Sequence, residues 1–267
     1  MTISFIGAGN MATAIINSIL NSKRLEAKDV FVFDKDFSKA SSFACRGVNC
    51  CDSLAEVCNS GDYILLAVKP QDYEALLCDI KNCTENLENK IFISIAAAIS
   101  CSYVCKMLGV NVPVIRVMPN TPLLLGVGAT AISRNEFVSD KQYSKICTIF
   151  ASSGSVTSLS EDMMNKVIAV NGSSPAYVYM FAKAMIDKAV EYGISEKNAK
   201  ELVLQTLKGS VEMLTRSDKT PDELIKMVAS PGGTTLAAID SLNNDKFFDI
   251  ISCAMDACTH RAEELSR

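Results

Sequence analysis

The sequence predicts an α/β chain in two parts, a doubly wound sheet followed by an all-helical C-terminal domain, and three observations carry that prediction. Over the first 160 residues, short β-branched runs alternate with amphipathic stretches, the pattern that layers helices on a sheet. The runs are apolar from end to end instead of alternating, as parallel strands covered on both faces are. From Glu161 onward no strand pattern is found and helical spacing takes over.

Taken in order, strands are expected at Ile3–Ile6, Val30–Phe33, Tyr63–Val68, Ile91–Ala96 and Val112–Val117, with helical stretches between most of them. Ala129–Ile132 and Val156–Leu159 then flank a helix from Ser139 to Phe150 and close the sheet. Helices follow at Met163–Tyr192, Glu196–Thr215, Pro221–Val228, Thr235–Leu242 and Lys246–Leu265, separated by turn signals such as Ser230-Pro231-Gly232-Gly233. The expected domains are therefore 1–160 and 161–267.

Length and composition agree with that division. A chain of 267 residues, 49% hydrophobic and 21% charged, suits one large or two modest domains. It can bury roughly 70–75% of the surface its unfolded state exposes, so it needs no disulfide or metal to fold. The single histidine, His260, excludes histidine triads and multi-histidine metal sites within one chain. The net charge of −4 and the lack of a dense Lys/Arg cluster argue against nucleic acid as a partner. The eleven cysteines are odd in number, lie in apolar segments and include no C-x-x-C, so they read as small buried hydrophobes, not as metal ligands. No apolar run reaches the ~18 residues a bilayer span needs, and no signal peptide precedes Thr2–Ile6. A soluble, cytoplasmic protein without membrane contact is expected.

Gly7-Ala8-Gly9-Asn10-Met11-Ala12 follows the first strand, after Ile6, and opens an amphipathic stretch. In such a turn Gly7 permits the tight bend, Gly9 lets the main chain approach a pyrophosphate, and Ala12 lets the helix pack on the sheet. The helix then offers free N–H groups to the phosphates. Asp34 ends the second strand 22 residues past Ala12, near the ~20 expected of a ribose-binding carboxylate. The first domain is thus a Rossmann-type dinucleotide-binding domain. A carboxylate at Asp34 would accept from a 2′-hydroxyl and repel a 2′-phosphate, whereas Lys35 and Lys39 would offset that, so NADPH and NADH both stay open.

Two more segments fall at strand ends, where ligands of open α/β sheets sit. Ala67-Val68-Lys69-Pro70 is one; Lys69 there reads equally as a solvated lysine. Arg116-Val117-Met118-Pro119-Asn120-Thr121-Pro122 is the other, and Asn120 reads equally as a cap on its own turn. In the helical half, Ser230-Pro231-Gly232-Gly233-Thr234-Thr235 breaks the helical pattern and exposes successive N–H groups, an anion site suited to a carboxylate. The alternative is an interhelical turn with threonine N-caps. Gly172-Ser173-Ser174-Pro175-Ala176-Tyr177 alone reads as packing.

In this order and at these intervals, GAGNMA, AVKP, RVMPNTP, GSSPAY and SPGGTT resemble the pyrroline-5-carboxylate reductase family from Ile6 to about Leu265. The resemblance implies NAD(P)H-dependent reduction of 1-pyrroline-5-carboxylate to L-proline, the last step of proline biosynthesis, usually with NADPH. It implies a homodimer through helices of the second domain, with decamers as a common assembly. It implies that the loop Ser230, Gly232, Gly233 and Thr234 holds the substrate carboxylate and that Thr235 hydrogen-bonds the ring nitrogen. On the cofactor side it implies Ile6, Gly7, Ala8, Gly9, Asn10 and Met11 at the pyrophosphate. Ala67, Val68, Lys69 and Pro70 would lie beside the nicotinamide and Asn120 near its ribose. Asp34, with Lys35 beside it, departs from the many members that lack an acidic residue there.

The chemistry agrees. A cyclic imine takes a hydride on carbon and a proton on nitrogen, and it is basic enough to need no dedicated strong acid. Thr235 is too weak an acid to be the proton source, so it orients the imine and solvent protonates it. His260 lies among Arg261, Glu263 and Glu264 and reads as part of a solvated helix face. Two other readings are open: another Rossmann imine reductase or β-hydroxyacid dehydrogenase, needing a lysine such as Lys166 or Lys183, and a non-catalytic dinucleotide-binding regulator.

Overall fold

The structure is a computed structural model and describes residues 1–266. Its sheet is built from β1 (Ile3–Ile6), β2 (Val30–Phe33), β3 (Asn49–Cys50), β4 (Tyr63–Leu66), β5 (Ile91–Ser94), β6 (Val114–Met118), β7 (Gly128–Arg134) and β8 (Gly154–Ser158). The strand order is β3-β2-β1-β4-β5-β6-β7-β8. Neighbours are parallel except β6 and β7, which are antiparallel. The order reverses between β1 and β4, which places a ligand crevice at the carboxyl ends of those two strands.

The two-residue period of the strands sorts their side chains onto two faces. Ile3 and Phe5 of β1 and Leu65 of β4 join a core with Ile15, Ile16 and Ile19 of α1 (Asn10–Asn21). Ile6, Ile64 and Leu66 join a second core on the other face. There they meet Val57 of α3 (Leu54–Ser60), Leu77 of α4 (Tyr73–Cys83) and Val104 of α5 (Cys101–Leu108). α6 (Asp140–Ala151) returns to the first face through Ile146 and Phe150. A short α2 (Phe37–Ser41) follows β2. Each fully buried aliphatic side chain contributes about 1.5–3 kcal/mol, and both faces are covered, which is why these strands read as unbroken apolar runs.

Three features differ from the sequence expectation. β3 is an edge strand of two residues, too short to leave a pattern. β6 starts at Val114, not Val112, because Pro113 has no N–H to give to the ladder. The third is that the first compact unit extends past residue 160. The chain forms two compact units, Met1–Ser173 with the chain from Cys258 onward, and Ser174–Ala257.

That extension has a physical cause. Arg116 in the middle of β6 is 4% exposed, and a buried guanidinium must be paired. Its Nη1 lies 3.2 Å from Glu161 Oε1 and its Nη2 donates to Asn165 Oδ1 at 2.6 Å. Glu161 also accepts from Ser133 Oγ at 2.6 Å, and Met164, Ile168 and Ala169 are buried. Residues 161–173 are thereby tied to the sheet. The expected helix Met163–Tyr192 is instead a turn, a π-helical segment Ile168–Gly172 and α7 (Ser174–Glu191).

The second unit holds α7, α8 (Glu196–Arg216), α9 (Pro221–Val228), α10 (Thr234–Asn244) and the first part of α11 (Phe247–Glu264). Ala182, Ala199 and Val203 are buried. Many of its large apolar side chains are not: Tyr179, Met180, Leu202 and Phe248 are each at least 60% exposed.

Candidate active site

A cavity of about 550 Å³ opens at the reversal point of the sheet, lined by Ile6, Gly7, Gly9, Asp34, Lys35, Ala67, Val68 and Lys69 among others. Gly7 has φ +101°, and a Cβ there would lie 2.7 Å from the Ala67 carbonyl oxygen. Glycine is therefore required by the fold, because the turn passes directly over the end of β4. The turn is locked by Gly7 N–H to Phe33 O at 2.8 Å, and the β4 end by Ala67 N–H to Ile6 O at 2.8 Å. Gly9 differs: a Cβ added to it would meet nothing within 4 Å. It is the N-cap of α1 and supplies no side-chain cap.

Six other helices of this chain start differently, and α4, which also lacks a side-chain cap, continues directly from a 3-10 turn. α2, α3, α5, α6, α8 and α9 each have a side chain of Asp, Ser or Thr accepting from the first turn. α1 and α10 instead begin at a glycine with no side-chain cap. Their first-turn N–H groups are left for an external acceptor. The open space over Gly9 and the uncapped start of α1 fit a dinucleotide pyrophosphate. Asn10 is exposed and Met11 half-buried at that start, while Ala8 is buried beneath it.

The carboxylate of Asp34 is fixed from two sides. Its Oδ2 accepts from Ala8 N–H at 2.7 Å and its Oδ1 from Asp36 N–H at 2.9 Å. Lys35 is exposed, and Lys39 Nζ lies 3.7 Å from Asp36. Beyond Val68, Lys69 is exposed and Pro70 opens a short 3-10 turn. Tyr73, fully buried, donates to Leu66 O at 3.0 Å and pairs with Ser94 Oγ at 2.9 Å, steadying the strand end on which Ala67 and Val68 stand.

Asn120 is 8% exposed and does not cap its own turn. Its Oδ1 accepts from Ala129 N–H at 2.9 Å. Sequence reasoning missed its counterpart, Asn171, whose Nδ2 donates to Ala129 O and to Met118 O, both at 2.8 Å. The two asparagines clamp Ala129 from both sides and so fix the RVMPNTP turn. A signal was present: Asn171 is a lone amide in the apolar run Ile168-Ala169-Val170 just before GSSPAY, and a polar residue at a core position needs a reason.

In the second unit, Pro231 and Gly232, with φ +70° at Gly232, form a turn closed by Gly233 N–H to Ser230 O at 3.0 Å, the residue pairing of a type II turn. A Cβ on Gly233 would lie 2.5 Å from Ser230 Oγ. Thr234 and Thr235 fall inside the first turn of α10 and are not its N-caps. Thr234 is exposed and Thr235 half-buried.

Other candidates take no part. His260 has a 75% exposed side chain, 3.4 Å from Glu264. Lys183 pairs with Asp187 on an exposed face of α7. The eleven cysteines are free thiols. Burial pushes the Cys51 and Cys58 thiols up to about 12, so at neutral pH they are protonated and poor nucleophiles. No helix among the described residues is long and apolar enough to cross a membrane.

Fold and cavity define the class, a Rossmann-type dinucleotide-binding oxidoreductase with a helical second unit. Residues 2–98 match the family model "NADP oxidoreductase coenzyme F420-dependent", and residues 161–265 match "pyrroline-5-carboxylate reductase dimerisation". The pyrroline-5-carboxylate reductase of Escherichia coli is 34% identical over 266 residues, spanning 99% of this chain and 98% of that protein. That of Mycobacterium tuberculosis is 31% identical, over 98% and 96%. The Plasmodium falciparum pyrroline carboxylate reductase, solved with NADP bound, superposes with a TM-score of 0.91 at 31% identity, covering 100% of this chain and 98% of that one. The Coxiella burnetii enzyme gives 0.90 at 29%, with the same coverage. The chain belongs to the pyrroline-5-carboxylate reductase family.

Proposed function

We propose that this chain reduces 1-pyrroline-5-carboxylate to L-proline with NADPH or NADH, the last step of proline biosynthesis. The observation that carries the reading is the pair of glycine-started, uncapped helices. One lies at the dinucleotide turn and the other at SPGGTT. The bound nicotinamide supplies the hydride.

The chain's own residues bind, orient and release. The N–H groups from Gly9 to Met11 hold the pyrophosphate, with Gly7 keeping the turn low enough for its approach. Ala67 to Pro70 and Asn120 form the nicotinamide end. The Ser230–Thr234 loop holds the substrate carboxylate through its backbone N–H groups at the start of α10. The Thr235 hydroxyl hydrogen-bonds the ring nitrogen and orients it, while solvent delivers the proton. The same proposal includes a homodimer through the helical unit, with decamers above it, in the cytoplasm. The exposed apolar side chains of α7, α8 and α11 support that assembly.

The test is direct. Purified protein, 1-pyrroline-5-carboxylate and either NADPH or NADH should lose nicotinamide absorbance in a substrate-dependent way. No oxidation with either cofactor would overturn the reading.

A further inference from the structure

The geometry at the end of β2 assigns this chain a preference for NADH over NADPH, enforced by Asp34; we propose Asp34 as its specificity-determining residue. The inference rests on the proposed dinucleotide site and deepens it.

A carboxylate near an adenosine ribose does not by itself set the preference, because a free side chain can swing aside and neighbouring lysines can then receive a 2′-phosphate. Here it is not free. Asp34 Oδ2 is the acceptor for the Ala8 N–H at 2.7 Å, and Ala8 is 5% exposed. Rotating the carboxylate away would leave a buried donor unpaired in the middle of the phosphate-binding turn, which is costly. Oδ1 is held in turn by Asp36 N–H at 2.9 Å. Both contacts require an acceptor, so neither oxygen can turn away without leaving a donor unpaired.

Asp34 lines the cavity together with Gly7 and Gly9, and its carboxylate oxygens keep lone pairs beyond those two contacts. A vicinal diol can donate to them. A 2′-phosphate brings like charge against a carboxylate that cannot retreat. Lys35, Lys39 and Lys69 line the same cavity, but Lys35 and Lys69 are exposed and Lys39 lies 3.7 Å from Asp36 with both side chains more than half exposed, so none is shown fixed in place as the Asp34 carboxylate is. Among the described residues no arginine lines the cavity, so the bidentate fork suited to a 2′-phosphate is missing.

The test separates binding from turnover. Titration calorimetry on the intact protein with ADP-ribose and with 2′-phospho-ADP-ribose reads the preference without chemistry, and kcat/KM with NADH and NADPH reads it in catalysis. We expect the unphosphorylated probe and NADH to be favoured by about tenfold or more. Asp34→Asn keeps an acceptor for Ala8 N–H while removing the charge, and should shrink that ratio by about tenfold; Asp34→Ser should move it the same way. Equal or tighter binding of the phosphorylated probe by the unaltered protein overturns the inference and leaves the reductase reading intact. So does an unchanged ratio in Asp34→Asn. Failure of both probes to bind overturns the dinucleotide site itself.

Discussion

The role proposed for Thr235 asks for little acid chemistry. Its hydroxyl is half-buried in the first turn of α10, and the lone histidine is on a solvent face. If the hydroxyl orients the ring nitrogen, Thr235→Ala should lower kcat by about tenfold or more while the pH profile keeps its shape. Steady-state kinetics with saturating cofactor check this, and wild-type turnover would remove Thr235 from the mechanism. Thr235, Asp34 and the glycines could be named as candidates from the sequence because each sits in a motif whose backbone geometry admits few residue types. Asn171 and Arg116 were not read as functional. Their partners lie far along the chain, Ala129 O for one and Glu161 with Asn165 for the other, and no local pattern carries such pairs.

At the scale of elements, the two glycines of the first turn do different work, and substitution should separate them. Gly7→Ala places a methyl group against the Ala67 carbonyl at positive φ. It should cost on the order of 1–3 kcal/mol of stability and abolish dinucleotide binding as well. Gly9→Ala meets open space, so the melting temperature should stay within about 2 °C, in line with the ±0.5 kcal/mol of neutral sites. Cofactor affinity should nevertheless fall, because the methyl occupies the phosphate approach. Thermal melts with and without cofactor distinguish the two. Most strands were legible as unbroken apolar runs and most helices by their period. The break at Ile168–Gly172 was not, since a π-helical turn keeps an apolar repeat while changing the path of the chain.

For the whole molecule, the sheet unit carries buried acids that are stable only when neutral. Cys51 and Cys58 are 1% and 0% exposed, and burial pushes both thiols from the ordinary value of 9.0 up to about 12. The fully buried Tyr73 hydroxyl is also pushed up by burial. A raised acid pKa leaves the folded state protonated while the unfolded chain ionises. Stability is therefore complete below about pH 8.5 and falls as pH rises from 9 toward 12, at about 1.4 kcal/mol per unit for each thiol. Urea midpoints should drop between pH 8 and pH 10.5, and Cys58→Ala should flatten the dependence by about one proton. A flat midpoint would contradict this account. The uncapped starts of α1 and α10 couple the molecule to its surroundings in another way. A missing helix cap costs about 1 kcal/mol, and under the proposed function the ligands would supply the two missing caps, one in each compact unit. Fold stability thereby becomes a function of supply: at a hundredfold excess over its dissociation constant a ligand adds about 2.7 kcal/mol. A cell depleted of reduced nicotinamide and imine would hold this protein in its loosest, most protease-sensitive state, so abundance of the enzyme would follow abundance of what it consumes.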